Sequence, residues 1–520
     1  MGDIQHQINA IVSGNHVLFL LSHLHGRQWW FDTMQLHHHT RTCRAMLTWR
    51  YEMTTADVCP ALRVKASDPA LFERAHALAI GYLESVVDRR VFPDADALAG
   101  LAAFRGPLQE DPVDPLEVLE FLDRHGSPAT VATAGGRYFG FVTGGSLPAA
   151  TAARWLESAW DQNAALHVLS PVSSVLESVC EEWLVDLLGL PAETAVGFVG
   201  GSSIAILVGL AVGRDAILRR AGWDAASRGL FGAPEIRVVL GERAHSTVYK
   251  ALAILGLGRD RIESVPVDDQ GRMRPEALPE LDDRTLLVLQ AGEVNSGSFD
   301  PFLPICEAAR KVGAWIHVDG AFGLWAAASP RFRHLTDGSA LADSWSADAH
   351  KTLNAPYDNG LVFCRDREAL VSAMKMSGSY IVFSEDRDSM GLTPEMSRRA
   401  RGIEIWACLK SLGRHGLASL VDHLCATASA FGTCLAAEGF SVRNEVVFNQ
   451  VLVACEDQDL TRATLANLQA SGECWCGGTT WRGESAIRIS CCSFMTTKED
   501  VDRSVRAFVA ARTAARIGRV

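Results

Sequence analysis

The 520-residue chain is 48% hydrophobic and 21% charged, which supplies apolar material for a large core shared among two or three domains. A formal net charge of −12 without any lysine or arginine block disfavours nucleic acid as a partner, since neutralising phosphates needs a basic face. Thirteen cysteines scattered without framework spacing indicate a reducing cytoplasm. Cys474 with Cys476 and Cys491 with Cys492 lack the CxxC spacing of a zinc site, so no metal is expected.

Residues 1–60 mix HLHG, WW, HHH and RTCR with no sustained helical or strand period. They read as a disordered or non-native extension, with His37, His38 and His39 in a surface tract and Met53 as a candidate true start, so that residues 1–52 fall outside the native protein. The apolar run HVLFLLSHL (16–24) is too short to span a bilayer and no lysine or arginine precedes it, so neither export nor membrane anchoring is expected.

From Ser67 the pattern turns helical: SDPALFERAHALAIGYLESVVDRR has a capping Ser or Asp, a proline in the first turn and apolar residues at helical spacing. DPLEVLEFLDRHG predicts a second helix, TAGGRYFGFVTGGSLP a loop, and ATAARWLESAWDQNAAL and SSVLESVCEEWLVDLLGL two more helices. Between about 195 and 365 the strands VGFVG, EIRVVLG, TLLVLQA, AWIHVDGA, SWSADAH and LVFC alternate with helices, predicting a mostly parallel sheet covered on both faces, with ligands at the carboxyl ends of the strands. A long amphipathic stretch from Ser397 leads to a smaller α+β unit with VFNQVLVAC and SAIRISCCS. The expected divisions are an extension at 1–60, an N-terminal helical segment at 67–145, a large domain at 146–395 and a small C-terminal domain at 396–520.

Four features point to pyridoxal phosphate. Lys351, one of only 7 lysines, follows the strand-like AWIHVDGAFG within SADAHKTLNAPYDNG and offers an amine for the aldehyde. Burial near a cationic cofactor is expected to lower its pKa. Asp319, ending WIHV, offers an anion to the pyridine nitrogen, and Ala321 leaves room at a ring face. His245 in GERAHSTVYKA, also just past a strand, offers an imidazole to stack and exchange protons. GFVGGSSIAIL places Gly201, Ser202 and Ser203 at a strand-to-helix turn whose free N–H groups and hydroxyls suit a phosphate. Each alone has a plain structural reading: a surface lysine, a helix-capping Asp, a solvated His, a Gly-rich turn.

HVDGAFG, DAHKTLNAPYDNG, RAHSTVYKA, QAGEVNSGSFDP, SPVSSVLE and SRRARGIEIW, and the order in which they occur along the chain, resemble the group II pyridoxal-phosphate decarboxylases of aromatic amino acids, glutamate and diaminobutyrate, over about 67–510. The resemblance implies an α/β fold of the fold-type-I transferase kind, with a large domain built on a mostly parallel mixed sheet. It implies that Lys351 carries the cofactor as a Schiff base, Asp319 pairs with the ring nitrogen, and Ala321 and His245 contact opposite ring faces. It places Gly201, Ser202, Ser203 and His350 near the phosphate with Asp348 close by. It also implies a homodimer with interfacial active sites, where Phe141 and Thr143 of the neighbour look towards the substrate, an L-amino acid losing its carboxylate as carbon dioxide.

The chain departs from the family pattern in four places. Ile206 replaces a common Asn, Glu293 puts a carboxylate near the cofactor's ring oxygen, and Ala165 replaces a bulky ring contact. The loop at about 384–397, SEDRDSMGLTPEMS, lacks the tyrosine that protonates the substrate carbon in aromatic decarboxylases. These leave open carbon–carbon lysis, aldehyde formation or transamination on the same scaffold, or a non-catalytic binding protein.

Overall fold

The computed structural model describes residues 8–13, 16–21, 33–35, 68–376 and 386–518. The chain divides into two compact units, Met1–Asp68 and Pro69–Val520. In the first, β1 (Ile8–Ser13), β2 (His16–Leu21) and β3 (Thr33–Gln35) form an antiparallel sheet. The run HVLFLL is thus a strand, where the sequence reading expected no regular structure. His37 to His39 and Met53 lie outside the described residues.

The second unit contains β4 (Tyr138–Phe139), β5 (Ala195–Val199), β6 (Arg237–Gly241), β7 (Ile262–Val265), β8 (Thr285–Gln290), β9 (Trp315–Asp319), β10 (Ser344–Asp348), β11 (Gly360–Cys364), β12 (Ser441–Val442), β13 (Gln450–Ala454), β14 (Trp475–Trp481) and β15 (Glu484–Ser490). Seven of these form one sheet in the order β5-β11-β10-β9-β8-β6-β7. All pairs are parallel except the two made by β11, so one reversed strand lies in an otherwise unidirectional sheet. Both faces are dry. Val239, Leu287, Leu289, Ile316 and Val318 pack into one core, while the alternate residues Val238, Leu240, Leu286, Val288 and Trp315 pack into another on the opposite face. The edge strand β7 went unpredicted because IESV carries only two apolar residues and is half exposed.

Helices start where the capping chemistry expects. Asp114 caps Pro115–Gly126 through Leu116 N–H, and Ser170 caps Pro171–Leu187 through Ser173 N–H. The long Gly402–Ala437 helix is broken at Gly413 (φ 60°), and although long and apolar enough by composition to cross a membrane, half of its apolar window is buried inside the fold. The C-terminal part forms a five-stranded sheet, β12-β13-β15-β14-β4. Its last strand comes from the segment expected to be a loop: Tyr138 and Phe139 pair with Trp475 and Cys476, fastening the N-terminal segment to the small C-terminal sheet.

Candidate active site

The carboxyl ends of β5, β6, β9 and β10 converge, as parallel alternation requires, and each delivers one expected group: Gly201 and Ser202 after β5, His245 after β6, Asp319 on β9, and Asp348, His350 and Lys351 at and after β10. Asp348 is the hub. Its Oδ2 accepts from Lys351 Nζ at 2.9 Å and lies 3.6 Å from His350 Nε2, while its Oδ1 accepts from Ser202 N–H at 2.5 Å. The backbone holds this hub in place, with Asp348 N–H donating to Ala321 O at 2.8 Å and Trp325 Nε1–H donating to Asp348 O at 2.9 Å.

Burial pushes the Asp348 carboxyl up, but the charges of Lys351 and His350 outweigh it and hold the group below the usual carboxylate range. Lys351 is the counterpart. Burial pulls its ammonium down, and Asp348, by charge and hydrogen bond, pulls it further up, so its pKa lies above the ordinary lysine value. The lowered pKa expected from the sequence refers to burial beside a cationic cofactor; in the protein alone the carboxylate three residues earlier sets the direction.

Asp319 has the opposite balance. It is 5% exposed, its Oδ1 accepts from Ala321 N–H at 3.2 Å, and burial raises its pKa against the weaker pull of His245 and Lys351. Burial lowers the pKa of His245 against Asp319, and Lys351 lowers it further. His245 Nδ1 lies 2.7 Å from Thr247 Oγ1. His350 Nδ1 accepts from Asn359 N–H at 3.1 Å, which leaves its proton on Nε2, facing Asp348 and the glycine turn.

The turn is tailored to close approach. A Cβ on Gly201 would lie 3.3 Å from His350 Cε1 and 3.6 Å from Asp348 Oδ1, and one on Gly360 would fall 2.4 Å from Gly201 Cα. Ser202 is buried and Ser203 exposed in the first turn of Ser202–Arg220, and Ile206 is fully buried in the core, where it packs instead of reaching towards an anion. A buried carboxylate short of hydrogen-bond donors, an amine, and a glycine-lined helix N-terminus are the donor set pyridoxal phosphate requires, so the residues fit the cofactor.

Three expectations are corrected. Thr143 lies at the chain's own lysine loop: Thr143 hydrogen-bonds Tyr357, Gly144 N–H donates to His350 O at 3.3 Å, and a Cβ at Gly144 would lie 2.1 Å from Lys351 O. Phe141 (φ 51°) is exposed and stacks on Trp475 with ring centroids 5.9 Å apart. Glu293 turns its carboxylate into its own loop, accepting from Asn295 N–H and Ser296 N–H at 2.7 Å each and from Asn295 Nδ2 at 2.8 Å, because a buried carboxylate needs several donors.

The third concerns the loop at 384–397, whose described part, 386–397, is fastened to its surroundings. Arg387 donates to Glu181 and to Val196 O, Ser389 and Arg398 hydrogen-bond the fully buried Glu177, and Met390 N–H donates to Ala165 O at 2.9 Å. Ala165 is itself fully buried beside Met390. The two arginines override the burial that would otherwise neutralise Glu177. Tyr380 stands four positions before 384–397, in the stretch 377–385 outside the described residues, so the missing tyrosine carries no argument about the reaction.

Sequence reasoning missed several groups. Tyr357, inside the quoted DAHKTLNAPYDNG, lays its ring 4.3 Å from that of His350. Asn359 Nδ2 donates to Glu404, which pairs with Arg399, so SRRARGIEIW clamps the lysine loop. Arg488, from β15, is half-buried: its Nη1 donates to Val294 O at 3.2 Å and its Nε has no partner among the described residues. Nothing near Arg488 in sequence hints at this site. Cys492 accepts from Asn449 Nδ2 at 3.3 Å, and Lys351 is the strongest of the charges that oppose the upward push of burial on its thiol.

Residues 131–454 match the conserved domain of pyridoxal-dependent decarboxylases. Aromatic-L-amino-acid decarboxylase of Sus scrofa is 26% identical over 79% of this chain and 89% of its own length. 4-Hydroxyphenylacetaldehyde synthase of Rhodiola rosea is 26% identical over 64% of this chain and 72% of its own. The structure of the Oryza sativa enzyme TDC with PLP and tryptamine superposes with a TM-score of 0.79 at 22% identity, covering 87% of this chain and 99% of that one. The chain therefore belongs to the pyridoxal-dependent decarboxylase family, a pyridoxal-phosphate-dependent carboxy-lyase acting on amino acids.

Proposed function

We propose that Lys351, Asp319 and His245 are the catalytic groups for decarboxylation of an L-amino acid to its amine. The observation that carries this is the Lys351 Nζ to Asp348 Oδ2 contact of 2.9 Å beside the partner-poor carboxylate of Asp319. Bound pyridoxal phosphate supplies the electron sink for the pair left when carbon dioxide departs. Lys351 Nζ would hold its aldehyde carbon, and Asp319 its ring N–H. The N–H groups of Gly201, Ser202 and Ser203, with His350 Nε2–H, would hold its phosphate. Ala321 and His245 would flank the ring.

Asp348 Oδ2, 2.9 Å from Nζ, keeps Lys351 cationic and is the carboxylate positioned to accept the proton that leaves Nζ. Thr143 and Tyr357, from the N-terminal segment and the lysine loop, stand beside Lys351 and would orient substrate and narrow water access. Incubation with a panel of L-amino acids, following amine and carbon dioxide against aldehyde and keto acid, tests the reaction and names the substrate. Aldehyde or keto acid as the main product would overturn it.

The partner set we propose is an amino acid substrate and a second copy of the chain, with neither nucleic acid nor membrane, in a reducing cytoplasm. Two features support this. Pro69–Ser85 buries no residue, and Phe72, Phe121, Trp155, Leu156, Val168 and Val175 form apolar surface that water solvates poorly. Eleven cysteines among the described residues are free thiols.

A further inference from the structure

We infer that Thr247 is a positioning residue that fixes His245 as its neutral tautomer, with the single ring N–H on Nε2. His245 Nδ1 lies 2.7 Å from Thr247 Oγ1 and 3.4 Å from Thr247 N. A backbone N–H only donates, so Nδ1 must present its lone pair, and the hydroxyl then donates to the same atom. The alternative, with the proton on Nδ1, would set two N–H groups against each other. His245 is also the residue that caps Ser246–Ile254, so the unpaired N–H groups of that helix place positive potential beside the ring and disfavour an imidazolium.

Charged groups reach His245 from every side. Asp319 on β9 and Glu293 after β8 favour its cation; Lys351 after β10 and Arg488 on β15 oppose it, and burial opposes it most. The balance leaves a neutral ring. That neutrality has a use under the reading given above, on which this consequence rests: an imidazolium stacked on a ring that Asp319 keeps cationic would meet like charge, whereas a neutral imidazole stacks freely and points one donor, Nε2–H, at an anionic substrate group. His245 then acts by donating a hydrogen bond and not by changing charge, which is the logic of a histidine held neutral at a helix N-terminus.

The test is long-range proton–nitrogen spectroscopy of protein labelled with [15N]histidine, with His245→Gln assigning the signal. It is run first on cofactor-free protein, so that the result does not depend on the cofactor. The expected spectrum shows a protonated Nε2 and a bare Nδ1. In Thr247→Val the nitrogen signals move and the titration midpoint of His245 rises by about half a pH unit or more, since a hydrogen bond favouring the neutral form is lost. Thr247→Ser keeps the wild-type spectrum. A protonated Nδ1 or an imidazolium at neutral pH in the wild type, or unchanged signals in Thr247→Val, overturns the inference. Adding pyridoxal phosphate then tests the other reading separately: a His245 signal unmoved by the cofactor counts against stacking and leaves the tautomer standing.

Discussion

Asp319 and Asp348 stand on one face of the sheet on neighbouring strands: Asp319 pairs with Ser346 in the β9–β10 register, and Asp348 lies two residues further along β10. Burial pushes both carboxyls up, yet they end on opposite sides of the ordinary value, because Asp348 has Lys351 and His350 against it and Asp319 has no cation in contact. Two like groups are thereby prepared for different partners, one for an amine already present and one for a ring nitrogen.

Replacing Asp319 by Asn is expected to leave cofactor binding largely intact and to cut turnover by more than about a hundredfold, because the lost charge acts on the transition state. Cofactor content and steady-state rates measured on the same preparation check this. Near-normal turnover would show that Asp319 does not serve the ring.

Lys351→Ala is expected to fold normally and to lose the visible absorbance of covalently held cofactor together with activity, by at least about a thousandfold. Circular dichroism and an absorbance spectrum after dialysis decide it. A variant that stays yellow would disprove the covalent assignment.

His317 gives a stability prediction. It is fully buried on β9, its Nδ1 meets Ser344 Oγ at 2.9 Å, and burial drives its pKa down to about 3 from 6.5. The folded protein thus holds it neutral while the unfolded chain takes up a proton below pH about 6.5, so its contribution is complete above that value and is lost as pH falls towards 3. Between pH 7 and pH 5 the loss is about 2 kcal/mol. Urea unfolding of the wild type and His317→Asn at both pH values should show a shallower acid loss in the variant; equal losses would assign the effect elsewhere.

Gly360→Ala is expected to destabilise the protein by about 2 kcal/mol or more, because its Cβ would fall 2.4 Å from Gly201 Cα and backbone must move to admit it. Thermal melting measures the loss, and cofactor affinity should fall with it since Gly201 belongs to the cradle. An unchanged melting temperature would mean that the two segments are not in contact.

Phe121→Asp with Leu156→Asp is expected to yield a monomer with little activity. Light scattering and assays across a concentration series report on this, and a dimer of full activity would place the interface on another face.

Much of the fold was legible because its cues are local. Alternating apolar runs and helices gave six of the seven strands of the large sheet, and DPLEVLEFLDRHG and SSVLESVCEEWLVDLLGL mark the helices that Asp114 and Ser170 cap. Residue order likewise brought Lys351, Asp319, His245, Gly201 and Ser202 to strand ends, since parallel strands all finish on the same edge. What the tertiary structure decided was charge and company. The rise in Lys351's pKa follows from a 2.9 Å contact, and the lowered pKa of His245 from its burial among groups of several strands. Arg488 and Cys492 reach the site from a second sheet more than a hundred residues along the chain, and Thr143 does so through a loop packed back on the lysine segment. Periodicity records which face of an element is buried; which groups then share that buried space, and hence which protons they hold, depends on distances between elements that the order of residues does not carry.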